Sequence, residues 1–169
     1  MKKTRLATVW LDGCSGCHMS LLDIDDALIP LAGKVDLVYG PLVDAQEFPK
    51  GVDVTVVEGA VSSRDDLEKI RLIRSRSKLV IALGDCAVTS NVPAMRNNLP
   101  VKKMLEGIYG TVPNDGVPPL LRHAVPVHDV VKVDLHVPGC PPPAKAIAFV
   151  LGELIEGRMP EVGSKVRFG

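Results

Sequence analysis

The chain has 169 residues, room for one domain whose core needs no disulfide framework, so a single unit over 1–169 is expected. Lys+Arg and Asp+Glu balance at 20 each, which removes the electrostatic footprint of a nucleic-acid binder or of a protein held on an anionic membrane. Hydrophobic residues reach 46% while aromatics are only 4%, a Val/Leu/Ala-rich balance that suits parallel sheet under helices and leaves apolar surface for a partner, as in an obligate subunit.

The opening Met1-Lys2-Lys3-Thr4-Arg5 imitates a secretory n-region, but the apolar run Leu6 to Leu11 is short for an h-region and ends at Asp12. No stretch approaches the roughly 20 apolar residues of a membrane span, so a cytoplasmic protein is expected. Leu6 to Leu11 reads as a buried strand, followed by the turn Cys14-Ser15-Gly16-Cys17 and a helix on Leu21, Ile24 and Leu28 that stops near Pro30. Val35 to Tyr39 is a second strand, closed by Gly40-Pro41, and Val54 to Glu58 a third. Ser62 and Ser63, each with an Asp three residues on, offer caps to a helix through Leu67, Ile70 and Ile73.

Lys78 to Leu83 makes the fourth strand and runs into Gly84-Asp85-Cys86. From Ala87 to about Val127 prolines punctuate the chain, so the stretch about 93–128 is expected to be mostly irregular, with short helices, and to contact a partner. Val130 to Val137 supplies the fifth strand, Pro138-Gly139-Cys140-Pro141-Pro142 the next turn, and Ala144 to Leu154 the last helix. The tail from Glu156 to Gly169 is polar. Strands alternating with helices imply an α/β, three-layer, doubly wound parallel sheet of flavodoxin-like type, whose ligands sit at the carboxyl ends of the strands.

All four cysteines, Cys14, Cys17, Cys86 and Cys140, fall at such ends. A [4Fe-4S] cluster takes four thiolates and is negatively charged when so ligated, and helix N-termini beside it would offer N–H groups. Gly13, Gly16, Gly84 and Gly139 allow close backbone approach, and Pro141 fixes φ where a helix begins. A Cys₄ zinc site that stabilises an interaction module stays open, although structural zinc usually uses two close cysteine pairs and only one exists here. Redox thiols and plain core cysteines stay open too.

Cys14-x-x-Cys17 after a first strand, Val57-Glu58-Gly59-Ala60, Gly84-Asp85-Cys86 and Pro138-Gly139-Cys140-Pro141-Pro142 together resemble the small subunit of [NiFe] hydrogenases, over almost the whole chain. The nearest form is the short small subunit of soluble, bidirectional NAD-linked enzymes. The small cluster subunit of respiratory complex I is related, but its first-turn cysteines are adjacent, whereas here Ser15 and Gly16 separate them. The resemblance implies that Cys14, Cys17, Cys86 and Cys140 hold one proximal [4Fe-4S] cluster. It implies that electrons pass between the Ni-Fe site of a large subunit and flavin and iron-sulfur diaphorase subunits that reduce NAD. It also implies that the chain has no complete active site of its own and none of the further clusters of the longer small subunits.

Glu58, at the same rim, is a candidate for a proton route or for ordering an interface. Asp12 and Asp85 are expected to accept turn N–H groups. His18 could donate to a cluster sulfur or lie at an interface, while Trp10, His123, His128 and His136 read as structural. Lys102-Lys103 and the basic residues from Arg64 to Arg76 read as solvated charge. A flavin-binding redox protein is the remaining alternative, disfavoured because phosphate would need a Ser/Thr/Gly-rich first turn, and this one is filled with cysteines.

Overall fold

The computed structural model describes residues 3–113 and 115–168; Met1 and Lys2 of the basic opening, Asn114 in the proline-punctuated stretch and Gly169 of the tail lie outside them. Runs of Val, Ile, Leu and Thr form β1 (Thr4–Trp10), β2 (Val35–Tyr39) and β3 (Val52–Glu58), and, beyond a short β4 (Val61–Ser63), β5 (Ser77–Leu83). β6 (Leu120–Val125) and β7 (Leu135–Val137) complete the described strands. Five of them pair in parallel in the order β2-β1-β3-β5-β7, the flavodoxin-like pattern with its switch point between β1 and β3.

Helices cover both faces, giving the three-layer α/β fold. α3 (Arg64–Arg76) packs Ile70 and Ile73 against Ala7, Val9, Val57 and Val80 of the sheet. Burying each such isoleucine contributes about 1.5–3 kcal/mol. On the other face α6 (Ala144–Ile155) sets Ile147, Val150 and Leu151 against Leu6, Val54, Val56 and Ile81, with α1 (Gly16–Leu22) and α2 (Leu28–Lys34) alongside. α3 begins where the sequence places it. Ser63 Oγ accepts the Asp66 N–H at 3.1 Å, and Asp66 accepts the Ser63 N–H at 2.9 Å, a reciprocal capping box.

Three elements depart from the sequence reading. Pro30 does not stop a helix; it lies in the first turn of α2, where its missing N–H has no intrahelical acceptor to lose. Instead α1 ends at Leu22, and a 3₁₀ turn over Asp25–Ala27 separates the two helices. The fifth parallel strand is only Leu135–Val137, because Val130, Val131 and Val133 reach the α3-side core from an irregular segment after a 3₁₀ turn. The proline-punctuated stretch is more ordered than expected. It contains a 3₁₀ helix over Val92–Asn98, α4 precedes it (Asp85–Thr89), α5 follows (Val101–Tyr109), and β6 pairs antiparallel with β4. Asn97 joins these parts, its side chain donating to the Ala124 carbonyl at 2.8 Å and accepting the Ala124 N–H at 2.7 Å. No helix of the described residues is long and apolar enough to cross a membrane.

Candidate metal centre

The first turn is held largely by its neighbour in the sheet. Beyond β1 the Leu11 N–H donates to the Glu58 carbonyl at 2.9 Å, and Asp12 and Ala60 exchange backbone hydrogen bonds at 3.1 and 2.8 Å. Gly59, at φ +91°, makes this approach possible, since a Cβ there would lie 2.8 Å from the Leu11 carbonyl carbon. Trp10 is not in the core; it is 45% exposed, with its indole N–H donating to the Gly13 carbonyl at 3.2 Å. The turn carries Cys14 on the surface, passes Ser15 in a left-handed conformation, and buries Cys17 in the first turn of α1.

Glu58 supplies what Ser15 does not. Ser15 makes no side-chain cap, and the Glu58 carboxylate, only 2% exposed, accepts the His18 backbone N–H at 2.9 Å from the end of β3. The same oxygen faces His18 Nδ1. The His18 ring therefore turns to Glu58 rather than to a sulfur, and its buried Nε2 has no hydrogen-bond partner among the described residues. The His18 N–H is likewise taken by the carboxylate and is not offered to the cysteines.

Cys86 and Cys140 are brought together by a second pair of turns. The Gly84 N–H donates to the Val137 carbonyl at 2.8 Å and the Asp85 N–H to the Gly139 carbonyl at 2.9 Å. Asp85, 4% exposed, returns a bond by accepting the Gly139 N–H on Oδ1 at 2.6 Å, as expected of a carboxylate in a turn. Gly84, at φ +84°, lies directly over Cys17; a Cβ there would be 2.2 Å from the Cys17 sulfur. Cys140 is exposed, and the Cys140-Pro141 peptide is cis. Pro141 does not open the last helix, which begins at Ala144 after Pro143. Ser20 Oγ donates to the Pro142 carbonyl at 2.6 Å, tying α1 to this last turn.

The four thiols and Glu58 form one electrostatically coupled group. Burial raises the Cys17 thiol far above the ordinary cysteine range, and Glu58, Cys86, Cys14 and Cys140 each add to the rise. Burial also raises Cys86, with Cys140 and Cys14 adding, the Val92 N–H opposing, and Glu58 adding. Protons are thus held more firmly on Cys17 and Cys86 than on an ordinary cysteine, unless a cation replaces them. Among the described residues no three His, Cys, Asp or Glu side chains gather closely enough to hold a single metal ion. Four thiols brought from three turns are the donor set an iron-sulfur cluster takes.

One other expectation from the sequence changes, and one feature is added. His128 and His136 meet edge to face with ring centroids 5.5 Å apart. Arg74 is not solvated charge: its guanidinium binds Asp134 at 2.6 Å and the carbonyls of Ser77 and Lys78 at 2.6 and 2.7 Å, clamping the start of β5 to the approach to β7. Sequence reasoning missed an apolar cavity of about 430 Å³ between β1, β2 and the α1–α2 pair, lined by Leu6, Trp10, Met19 and Leu37 among others. Its only sequence signal is apolar residues at Leu22, Ile29 and Leu42 beyond those the core needs.

Known proteins match this chain throughout. Residues 14–154 match the family model for the NADH ubiquinone oxidoreductase 20 Kd subunit. The delta subunit of the NAD-reducing hydrogenase HoxS of Cupriavidus necator is 37% identical over 97% of this chain and 84% of its own length. A subunit of the F420-non-reducing hydrogenase vhu of Methanocaldococcus jannaschii is also 37% identical, over 96% of this chain, but the match spans only 59% of that longer protein. A chain of an NAD⁺-reducing [NiFe]-hydrogenase crystallised in the H₂-reduced state superposes with a TM-score of 0.94 and 37% identity, covering 99% of this chain and all of that one. The chain therefore belongs to the NADH ubiquinone oxidoreductase 20 Kd subunit family, beside these hydrogenase subunits.

Proposed function

We propose that this chain is the electron-relay small subunit of a cytoplasmic, NAD-linked [NiFe] hydrogenase, in which Cys14, Cys17, Cys86 and Cys140 hold one [4Fe-4S] cluster. The observation that carries the reading is the convergence of four thiols from the carboxyl ends of β1, β5 and β7 into one coupled group, in a chain that matches a hydrogenase delta subunit over nearly its full length. When bound, the cluster supplies one-electron transfer between the Ni-Fe site of a large subunit and flavin and iron-sulfur diaphorase subunits.

The chain's own residues define the place for it. Cys17 is buried, Cys86 half-buried, and Cys14 and Cys140 are exposed, so the group runs from the interior to the surface. Glu58 fixes the start of α1 and with it the direction of Cys17. Asp85 fixes the Cys140 turn against the Cys86 turn. Glu58 also remains the candidate carboxylate for a proton route or an ordered interface. The stretch 93–128, with Met95, Leu99, Ile108 and Tyr109 exposed, is the surface we assign to the large subunit.

Cys140→Ser in the assembled enzyme tests this. Because Cys140 is exposed, the fold should survive the change. The expected result is loss of H₂-driven NAD reduction with hydrogen–deuterium exchange by the large subunit partly retained. Full NAD-coupled activity would contradict the assignment.

A further inference from the structure

Resting on that reading, we infer that the Val92 backbone N–H, held on the Cys86 sulfur by the strained turn Ser90-Asn91, sets the reduction potential of the cluster, keeping it higher than the same four thiolates would alone. α4 carries Cys86 and ends at Thr89. The chain then takes two successive non-glycine residues with positive φ, Ser90 at +66° and Asn91 at +28°. Asn91, with ψ −118°, lies outside even the small left-handed region that L residues tolerate. Ser90 is only 2% exposed, and its hydroxyl has no hydrogen-bond partner among the described residues. Ending a short helix requires none of this, since a single glycine in the left-handed region does it without strain.

What the turn delivers is a donor. The Val92 N–H donates to the Cys86 sulfur, whereas four N–H groups of the cysteine turns go to oxygen: His18 to Glu58, Gly84 to Val137, Asp85 to Gly139 and Gly139 to Asp85. The Val92 side chain is 59% exposed, so packing does not fix this position. The chain beyond it does. Arg96 binds the carbonyls of Leu121 and Ser62 at 3.1 and 2.9 Å, Asn97 is paired with Ala124, and the Ala94 N–H donates back to the Ser90 carbonyl at 3.2 Å. The turn is thus pinned between the helix of Cys86 and the β4–β6 pair, and strain persists where the surroundings over-determine it. Hydrogen bonds to the sulfurs are one of the levers on a cluster's potential. When the cluster gains one electron its thiolates become more negative, so a donor N–H binds the reduced form more strongly and raises the potential.

The test is made on the purified complex of this chain with its large subunit, where no diaphorase cluster overlaps the signal. With valine labelled by nitrogen-15, electron spin echo spectroscopy of the reduced sample should show a nitrogen-15 coupling that Val92→Ala removes, because alanine keeps the N–H but not the label. The potential of that variant should not move. Val92→Pro removes the N–H itself. In a mediated redox titration its ratio of reduced to oxidised cluster at a fixed potential should fall about tenfold, a downward shift of about 59 mV for one electron, with iron content and the large subunit retained. Asn91→Ile, at an exposed position whose positive φ a branched side chain cannot hold, should shift the potential the same way. An unchanged coupling in Val92→Ala overturns the hydrogen bond, and an unchanged potential in Val92→Pro or Asn91→Ile with iron present overturns the potential-setting role. Should Val92→Pro lose iron, the isotope comparison and Asn91→Ile decide. Wild-type complex without iron overturns the electron-relay reading as well.

Discussion

α1 follows β1 of the five-stranded sheet and α3 follows the short β4, which pairs with β6, and their first turns are held in different ways. α3 is capped by Ser63 and Asp66, neighbours in the chain. α1, seven residues long with Ser15 in a left-handed conformation and no side-chain cap, is capped by Glu58, which lies forty positions from His18 in sequence. The helix that only has to pack is specified locally, and the helix that carries a cysteine is specified by the sheet. A site whose parts are positioned by remote residues forms only once the strand order is complete.

Breaking the remote positioning should therefore cost more than breaking the local kind. The largest effect is expected from Gly84→Ala, which combines a positive φ with a Cβ 2.2 Å from the Cys17 sulfur. We expect about 3 kcal/mol or more of destabilisation and loss of bound iron, measured by thermal unfolding and metal analysis of the purified complex. Glu58→Ala comes next. It leaves the His18 N–H and ring without their acceptor in a buried place, at about 2–3 kcal/mol, and Glu58→Gln should recover part of the loss because an amide oxygen still accepts. Ser63→Ala should cost only about 1 kcal/mol and leave iron binding intact. Equal losses of iron in the Glu58 and Ser63 variants would erase the distinction between the two helices.

The smallest effect is a pH dependence away from the cysteines. His136 is held below its ordinary value of 6.5, chiefly by burial and then by the neighbouring His128. A depressed histidine contributes stability that is fully present above pH 6.5 and is lost as pH falls below it, because the unfolded chain then binds the extra proton. Denaturant midpoints should therefore fall modestly between pH 7.5 and 5.5, and His136→Phe should remove that part of the slope. At lower pH Asp134 takes over. Burial alone would raise its carboxyl, but the Val80 N–H, Arg74 and Lys132 outweigh burial and hold it below 3.8. Its stabilisation is present above pH 3.8 and is lost as pH falls through the lowered value.

What could be read from the sequence follows the same division. β1, β2, β3, β5 and α3 are written in local alternation, apolar runs and a Ser-x-x-Asp cap, and the cysteines were legible because each follows such a strand. β6 was not legible. Its run Leu120 to Val125 carries Arg122 and His123 outward and becomes a strand only by pairing with β4, far away in the chain. Val130 to Val133 read as strand by composition but serve the core from irregular chain, because β5 pairs only with the last three residues of the run. Trp10 read as core because strands usually bury Trp, while here it closes the first turn from outside. The role of Glu58 could not be read from spacing at all, because its partner is brought to it by the β1–β3 pairing.

Iron, zinc and acid-labile sulfide should be quantified on this chain, co-expressed with its large subunit alone and purified without air, with an electron paramagnetic resonance spectrum of the reduced sample. A site built from Cys14, Cys17, Cys86 and Cys140 predicts about four irons and four sulfides per chain beyond the Ni-Fe centre, and a spectrum that appears on reduction. One zinc per chain with no sulfide would contradict it and make these cysteines a structural site.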